Sequence, residues 1–534
     1  MANKQLFSFT SSFNLPKTNA VNEAGGRAYK LSPKAMLAQY VATGCFGDTY
    51  YASAGEQLET VLKLTSQVEP EFIAKLAIYG RRKAHMKDTP ALLLASLSVL
   101  SPGLMAEAFD RVIDNGRMLR NFVQIMRSGV VARKSLGSLP KRMVQQWLDQ
   151  RPAEKLFFDS VGNDPSIADV IKMVHPKPGS DERAALYAYL IGKAHDVEKL
   201  PPIVRDFEQF KQRLLGDQAK HVKAKEVPDV PFQMLTGLPL RPSHWKAIAE
   251  TAPWQMTRMN LNTFARHDVL KDKSMVKQIA KRLADPAAIK RSRVFPYQLM
   301  VAHASAGKAM PNEISEALHD AMEIAVDNVP SFGGPGGGKV FVLPDVSGSM
   351  HSAVTGYRRG ATTAVRCIDV AALVAAAVLR KNRGAEVIPF HDKVQPCKLT
   401  GRDSVLTNAQ KLAALPSGGT RCSAPLRHLN ERKETADLVI FVSDNESWID
   451  GNRRWSYGDP TETLKEWTNF KKRSPRAKLV CIDIQPYGTT QAQTREDILN
   501  VGGFGDSVFE VIARFAAGEL GDDHWVKVIE EVTL

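Results

Sequence analysis

At Ser331 to Lys339 the chain reads Ser-Phe-Gly-Gly-Pro-Gly-Gly-Gly-Lys, and the hydrophobic pattern obeys a different period on each side of that run. Upstream, from about Lys34 to Val329, apolar residues recur every three or four positions between Pro, Gly, Ser and Asp punctuation, as in Glu71 to Lys83, Thr89 to Leu100, Ser135 to Gln150, Ser180 to Lys193 and Lys271 to Leu283. That spacing predicts one helix after another, with few strands. Downstream, Val340 to Leu343, Glu386 to Phe390, Leu438 to Val442 and Lys478 to Ile482 are short, continuously apolar runs. Such runs fit parallel strands buried on both faces. Helical stretches separate them at Ala361 to Lys381, Ser423 to Arg432, Glu462 to Lys472 and Asp506 to Ala517. The expected chain is multidomain: an all-α array of helix pairs, then a doubly wound, Rossmann-like α/β domain. Its divisions are an arm over residues 1–24, helices over 25–330, a flexible linker over 331–339 and the α/β domain over 340–534. The Gly-rich run is no phosphate loop, because its Lys opens a strand instead of a helix.

Charge separates the two parts as well. Residues 1–338 hold 45 Lys and Arg against 33 Asp and Glu, a balance of +12, whereas residues 339–534 hold 26 against 24, or +2. A basic N-terminal part favours a polyanionic partner, since each neutralised phosphate releases counterions. The densest window is Asn115 to Leu148, with no acidic residue and with Arg117, Arg120, Arg127, Arg133, Lys134, Lys141 and Arg142. On helices, those groups can follow a phosphate backbone; the competing reading is a solvated face. Arg81-Arg82-Lys83 and Arg258 to Arg293 extend the basic character. No apolar run of membrane length and no secretory leader pattern is present, so the expected address is the cytoplasm. Cys45, Cys367, Cys397, Cys422 and Cys481 lack any CxxC spacing and read as reduced structural thiols.

After the first expected strand comes Asp345-Val346-Ser347-Gly348-Ser349-Met350. Residues two apart in an extended turn can direct one carboxylate and two hydroxyls into one crevice. Thr420, in Ser417-Gly418-Gly419-Thr420, and Asp444, directly after a later strand, add two more oxygens at the same sheet edge. Five hard donors, Asp345, Ser347, Ser349, Thr420 and Asp444, suit Mg²⁺, or Mn²⁺, with water or a partner's carboxylate completing the shell. Asp-x-Ser-x-Ser before a helix also fits a plain N-cap; the Gly-Gly-Thr and the later Asp tip the reading to metal. With no His, nucleophile–base pair or second metal cluster in the pattern, the site reads as a binding site and the chain as no enzyme.

The constellation resembles the metal-ion-dependent adhesion site (MIDAS) of von Willebrand factor A domains. Further motifs are Gly25-Gly26-x-Ala28-Tyr29, Cys45-Phe46-Gly47-Asp48-Thr49-Tyr50-Tyr51, Phe122-Val123-Gln124, Gly137 with Lys141-Arg142 and Trp147, Asp169 to Lys172 with His175, Arg293-Val294-Phe295-Pro296-Tyr297 and Asp444-Asn445-Glu446. In their joint order they make the chain resemble, along nearly its whole length, the Ro autoantigen proteins of bacterial type. Their TROVE module is a ring of HEAT-like helical repeats closed by a von Willebrand A domain. The resemblance implies a monomeric ribonucleoprotein component that binds small noncoding Y RNAs outside the ring and admits single-stranded 3′ ends of misfolded RNAs into its hole. It implies RNA quality control, in bacteria often beside a 3′ exonuclease. By position, Lys172, His175, Lys141 and Arg142 are implied RNA contacts, although His175, before Pro176, also fits a helix cap. This chain departs from the family in having Phe158, Asp159 and Gly162 where basic residues line the hole. Arg421 also follows Gly-Gly-Thr in place of Asp, and the segment Met350 to Ala361 is longer and carries Arg358 and Arg359. The rival reading is a metal-dependent protein-interaction adaptor whose positive charge is incidental.

Overall fold

A computed structural model describes residues 15–44, 46–217, 219–292, 294, 296–306, 310–332, 338–357, 365–450, 459–503, 505–521 and 524–534. Cys45, Arg293, Phe295, Arg358, Arg359 and most of the Gly-rich run, 333–337, lie outside them.

Helices follow one another from Pro33–Thr43 to Asn312–Ala325. Local chemistry starts many of them: Pro opens Pro33–Thr43, Pro70–Arg82 and Pro102–Val112, and Ser53 with Glu56 and Ser166 with Asp169 form reciprocal caps. Asp88–Leu100 has no polar stripe because it lies inside the array, with Leu92, Leu93, Leu94 and Leu97 all buried. Tryptophans fasten distant segments of the array. The Trp147 indole N–H donates to the Ile113 carbonyl at 2.8 Å, and that of Trp254 to the Leu283 carbonyl at 3.1 Å.

The C-terminal domain carries a five-stranded parallel sheet in the order Ala385–Val387, Val340–Pro344, Leu438–Ser443, Lys478–Asp483 and Ile498–Gly502. Alternate strand residues feed two cores. Val340, Val342, Ile440 and Val480 join the core shared with Cys367–Lys381 and the helical array. Phe341, Leu343, Phe441 and Leu479 pack with Trp467 and Phe470 on the other face. The expected strand over Glu386 to Phe390 is shorter, with Phe390 bridging singly to Asp345. Ile498–Gly502 is an additional strand that the apolar pattern did not announce, because Asn500 and Gly502 interrupt it.

Both ends of the helical array sit on this domain, which closes the ring. At the start, Lys34 pairs with Glu530 at 2.8 Å, Lys83 with Glu510 at 3.4 Å, and the Trp525 indole donates to the Tyr79 hydroxyl at 3.2 Å. At the end, Lys381 pairs with Asp327 at 3.1 Å and Arg380 with Glu323 at 3.5 Å, while the Phe332 amide donates to Asn382 at 3.0 Å. The early segment read as an arm and module start is part of the closure too: Ala20–Val21 and Arg27–Lys30 form a small antiparallel sheet with Thr489–Thr490. No helix among the described residues is long and apolar enough to cross a membrane.

Candidate metal centre and basic face

Strand order brings the five oxygen donors together. Asp345 ends the strand next to Leu438–Ser443, its amide donating to the Val442 carbonyl at 3.0 Å. The Ser347 amide donates to Asp345 Oδ1 at 2.8 Å and the Ser443 hydroxyl to Oδ2 at 2.7 Å. Ser347 and Ser349 hydroxyls lie 3.3 Å apart, and Ser349 also reaches Asp444. Thr420 joins them because the Gly348 amide donates to the Gly418 carbonyl at 3.0 Å and the Trp448 amide to the Thr420 carbonyl at 3.2 Å. Gly418 and Gly419 permit that approach. A Cβ on Gly418 would stand 2.6 Å from His391 Nδ1, and one on Gly419 2.5 Å from Ile449 Cδ1.

All five donors are buried. Burial, and then the facing Asp444 carboxylate, raise the Asp345 carboxyl well above the usual carboxylate range; burial raises Asp444 as well. Among the described residues no Lys or Arg offsets either shift, and Asp444 Oδ2 is enclosed without a hydrogen-bond partner. Two buried carboxylates without a counter-charge are unfavourable by several kcal/mol. A divalent cation would supply the missing charge, and oxygen-only donors would fit a hard one.

Three neighbours were not assigned to the site from the sequence, although Glu446 stood in the Asp444-Asn445-Glu446 motif. Glu446 is fully buried, pushed up by burial and by Asp444, and accepts from the Ala24 amide at 3.1 Å. Asp483 accepts from the Asn445 side chain at 2.6 Å, an arrangement set by the left-handed backbone of Asn445 at φ 62°. His391 corrects the expectation that no histidine is near: its ring lies against Gly418. Asp483 ends its strand in register with Ser443, and Glu446 stands two residues beyond Asp444 in the same loop; acids at or just past a strand end are a signal that the sequence offered. His391 stands after the shortened strand and carried none. Arg421, noted as an added positive charge, faces Asp450 at 3.7 Å.

The basic face divides into committed and spare cations. The Arg120 guanidinium lies over Gly162 and donates to the Asn163 carbonyl at 3.3 Å; Arg133 donates to the Ser98 carbonyl at 2.9 Å. Arg81 grips Asp114 at 2.8 Å, Arg82 the Arg111 carbonyl at 2.7 Å, and Arg258 the Gln298 carbonyl at 2.8 Å. Arg117, Arg127, Lys134, Arg142 and Lys172 are exposed and Lys141 is half-buried. None of these six forms an ion pair among the described residues. Arg127 and Lys172 line a cavity of about 690 Å³ with Gln124, Ser128, Asp164 and Asp169. His175 is the left-handed C-cap of Ile167–Val174 at φ 49°, with its side chain exposed. Asp159 is held by Arg151 at 2.7 Å, and Lys155 stands over the Phe158 ring at 5.5 Å.

Comparison with known proteins agrees with this architecture. Residues 339–516 match the family model of the Ro60 vWA domain, and residues 234–317 that of the TROVE domain. The RNA-binding protein RO60 of Deinococcus radiodurans is 25% identical over 562 aligned positions, spanning 97% of this chain and all of that protein. The protein of the same name from Caenorhabditis elegans is 25% identical over 260 positions, 47% of this chain and 38% of its own length. In fold, the chain is similar to the crystal structure of the Deinococcus radiodurans RO (RSR) protein, with a TM-score of 0.62, 23% identity, and coverage of 92% of this chain and 100% of that one.

Proposed function

Because the chain belongs to the Ro family, with a TROVE module followed by a Ro60-type von Willebrand A domain, we propose that it is an RNA-binding protein without catalytic function. Its helical face takes small, structured, Y-like noncoding RNA and the single-stranded 3′ ends of misfolded RNA, in the service of RNA quality control in the cytoplasm. The observation that carries this reading is the cluster of spare cations. Arg117, Arg127, Lys134, Lys141, Arg142 and Lys172 lie on or between the helices Gly116–Ser128, Ser138–Gln150 and Ile167–Val174; none forms an ion pair among the described residues, although Arg127 and Lys172 lie within electrostatic reach of Asp169. Unpaired cations on a rigid scaffold meet phosphates with little loss of existing contacts. The adjoining cavity is open to a flexible strand, and a free end selects by shape. His175 lies on the same helix as Lys172 and completes the face.

The metal centre is proposed to bind Mg²⁺, or Mn²⁺, through Asp345, Ser347, Ser349, Thr420 and Asp444 and to dock a partner protein, such as a 3′ exonuclease. The chemistry proposed for it is cation-bridged binding. Gel shifts with a hairpin RNA carrying a single-stranded 3′ tail test the RNA reading. If about six phosphates are engaged, affinity falls roughly a thousandfold between 50 and 200 mM salt. A flat salt response favours the adaptor reading and overturns this one.

A further inference from the structure

The last two helices of the array bring together a pair of nitrogen donors that neither the RNA face nor the sheet-edge oxygen site uses. His303 lies on Pro296–Ala306 and His319 on the next helix, Asn312–Ala325. Their ring centroids are 4.7 Å apart with the planes at 36°, and the two Nε2 atoms face each other at 3.2 Å. Ser315 stands one turn before His319, on the same face of its helix, and puts its hydroxyl 2.9 Å from His303 Nε2. All three side chains are half-buried, so solvent reaches the cluster.

Hydrogen bonding alone accounts for this cluster incompletely. An imidazole nitrogen carries one N–H or one lone pair, yet His303 Nε2 faces both the Ser315 hydroxyl and His319 Nε2. Only one of the two can be fully served. A metal ion removes the conflict: each ring keeps its proton on Nδ1, and both Nε2 lone pairs turn to the ion. The spacing suits such an ion. Zn–N bonds of about 2.0–2.1 Å at the tetrahedral angle hold two ligand nitrogens about 3.3 Å apart, and the separation here is 3.2 Å. Imidazole nitrogens select zinc, nickel or copper over Mg²⁺. No third His, Cys, Asp or Glu joins the pair among the described residues, which leaves the other positions of the ion to water.

We propose that His303 and His319 form a two-imidazole site for Zn²⁺ or a like divalent transition metal, that the Ser315 hydroxyl orients a metal-bound water, and that the ion staples the last two helices together. The staple bears on ring closure because Asn312–Ala325 is a helix that meets the C-terminal domain. Its Glu323 accepts from the Val405 amide at 2.5 Å and pairs with Arg380 at 3.5 Å. An ion held across His303 and His319 fixes that helix against Pro296–Ala306. It does so without engaging the spare cations of the basic face or the five oxygen donors.

The test uses the full chain, stripped with EDTA, returned to excess Mg²⁺ to fill the oxygen donors, and titrated with Zn²⁺ by calorimetry at neutral pH. Wild type should show a Zn²⁺ site that weakens at least tenfold in His303→Gln and in His319→Gln. His195→Gln, which removes an exposed histidine elsewhere in the array, should leave that site within twofold of wild type. Zn²⁺ should raise the melting temperature of wild type and of neither glutamine variant at the two helices, and melts in EDTA show whether those variants still fold. Pulsed electron paramagnetic resonance with Cu²⁺ in place of Zn²⁺ should count two imidazoles on the ion in wild type, a result that needs no variant. Undiminished Zn²⁺ binding in both variants, an equal loss in His195→Gln, a single imidazole on Cu²⁺, or no Zn²⁺ site at all overturns the proposal. Each of those results leaves His303 and His319 as a plain hydrogen-bonded pair.

Discussion

The division of the basic face into spare and committed cations makes a quantitative prediction. In the double variant Arg127→Ala, Lys172→Ala, two cations that line the cavity disappear without breaking any ion pair. Each phosphate neutralised contributes a salt slope of about 0.7 for single-stranded and about 0.9 for duplex nucleic acid. Removing two contacts therefore lowers the slope by about 1.4 to 1.8, and near 0.15 M salt this corresponds to a roughly 15- to 30-fold loss of affinity. Thermal stability should stay at the wild-type value, because both side chains are exposed. Arg120→Ala and Arg133→Ala should behave in the opposite way. They strip the donors from the Asn163 and Ser98 carbonyls, a cost of about 1 to 3 kcal/mol each, with little change in salt slope. Fluorescence anisotropy of a tailed hairpin RNA from 50 to 200 mM salt, beside calorimetric melting, measures both quantities. If the double variant keeps the wild-type slope, or if Arg120→Ala lowers the slope and leaves the melting temperature alone, the assignment by hydrogen-bond inventory is wrong.

Three further outcomes follow from the geometry. Asp345→Ala should abolish Mg²⁺ binding by calorimetry and leave RNA affinity unchanged; wild-type protein at 100 times its Kd for Mg²⁺ should gain about 2.7 kcal/mol of stability that the variant lacks. Gly26→Ala should destabilise by about 1 to 3 kcal/mol, since the new Cβ would lie 1.9 Å from the Ser447 carbonyl oxygen, and an unchanged melting temperature would show that the turn yields freely. His303 faces His319 with Nε2 atoms 3.2 Å apart, and burial, then His319, hold its pKa below the ordinary value of 6.5. The unfolded chain therefore binds the proton more readily, so this contribution is complete above about pH 6.5 and is lost as pH falls through the lower folded value. Urea melts at stepped pH should show that loss in wild type and a flatter profile in His303→Gln.

The predictable features of this chain are those set by short-range rules. Helical period placed Thr89 to Leu100 within one residue of Asp88–Leu100, and apolar β-branched runs placed four of the five parallel strands. Asp345, Ser347, Ser349, Thr420 and Asp444 could be grouped from the sequence because strand ends of a doubly wound sheet must share an edge. Ile498–Gly502 escaped because Asn500 and Gly502 break its apolar run, although the whole strand is buried and Asn500 is satisfied by Thr490, Thr494 and the Ala492 carbonyl. Nothing local distinguishes Arg120 from Arg127 either: one is committed by a loop 43 residues away, and the other forms no hydrogen bond or ion pair among the described residues.

The same limit explains why the seam between the modules was illegible. Asn22 donates to the Ser447 carbonyl across 425 positions at 2.8 Å, and Ala24 to Glu446 across 422. A turn near the start of the chain therefore supports the loop that carries Asp444, and two backbone hydrogen bonds between Asp48 and Tyr357, at 2.9 and 2.7 Å, support the one that begins at Ser349. Loop-closure entropy rises only as the logarithm of length, so contacts this remote are affordable once the intervening helices have formed an arc whose ends nearly meet. Ring closure and the shape of the loop that carries Asp444 are thus coupled, and a lesion that opens the ring at Asn22 or Gly26 should loosen that loop before it disturbs any helix.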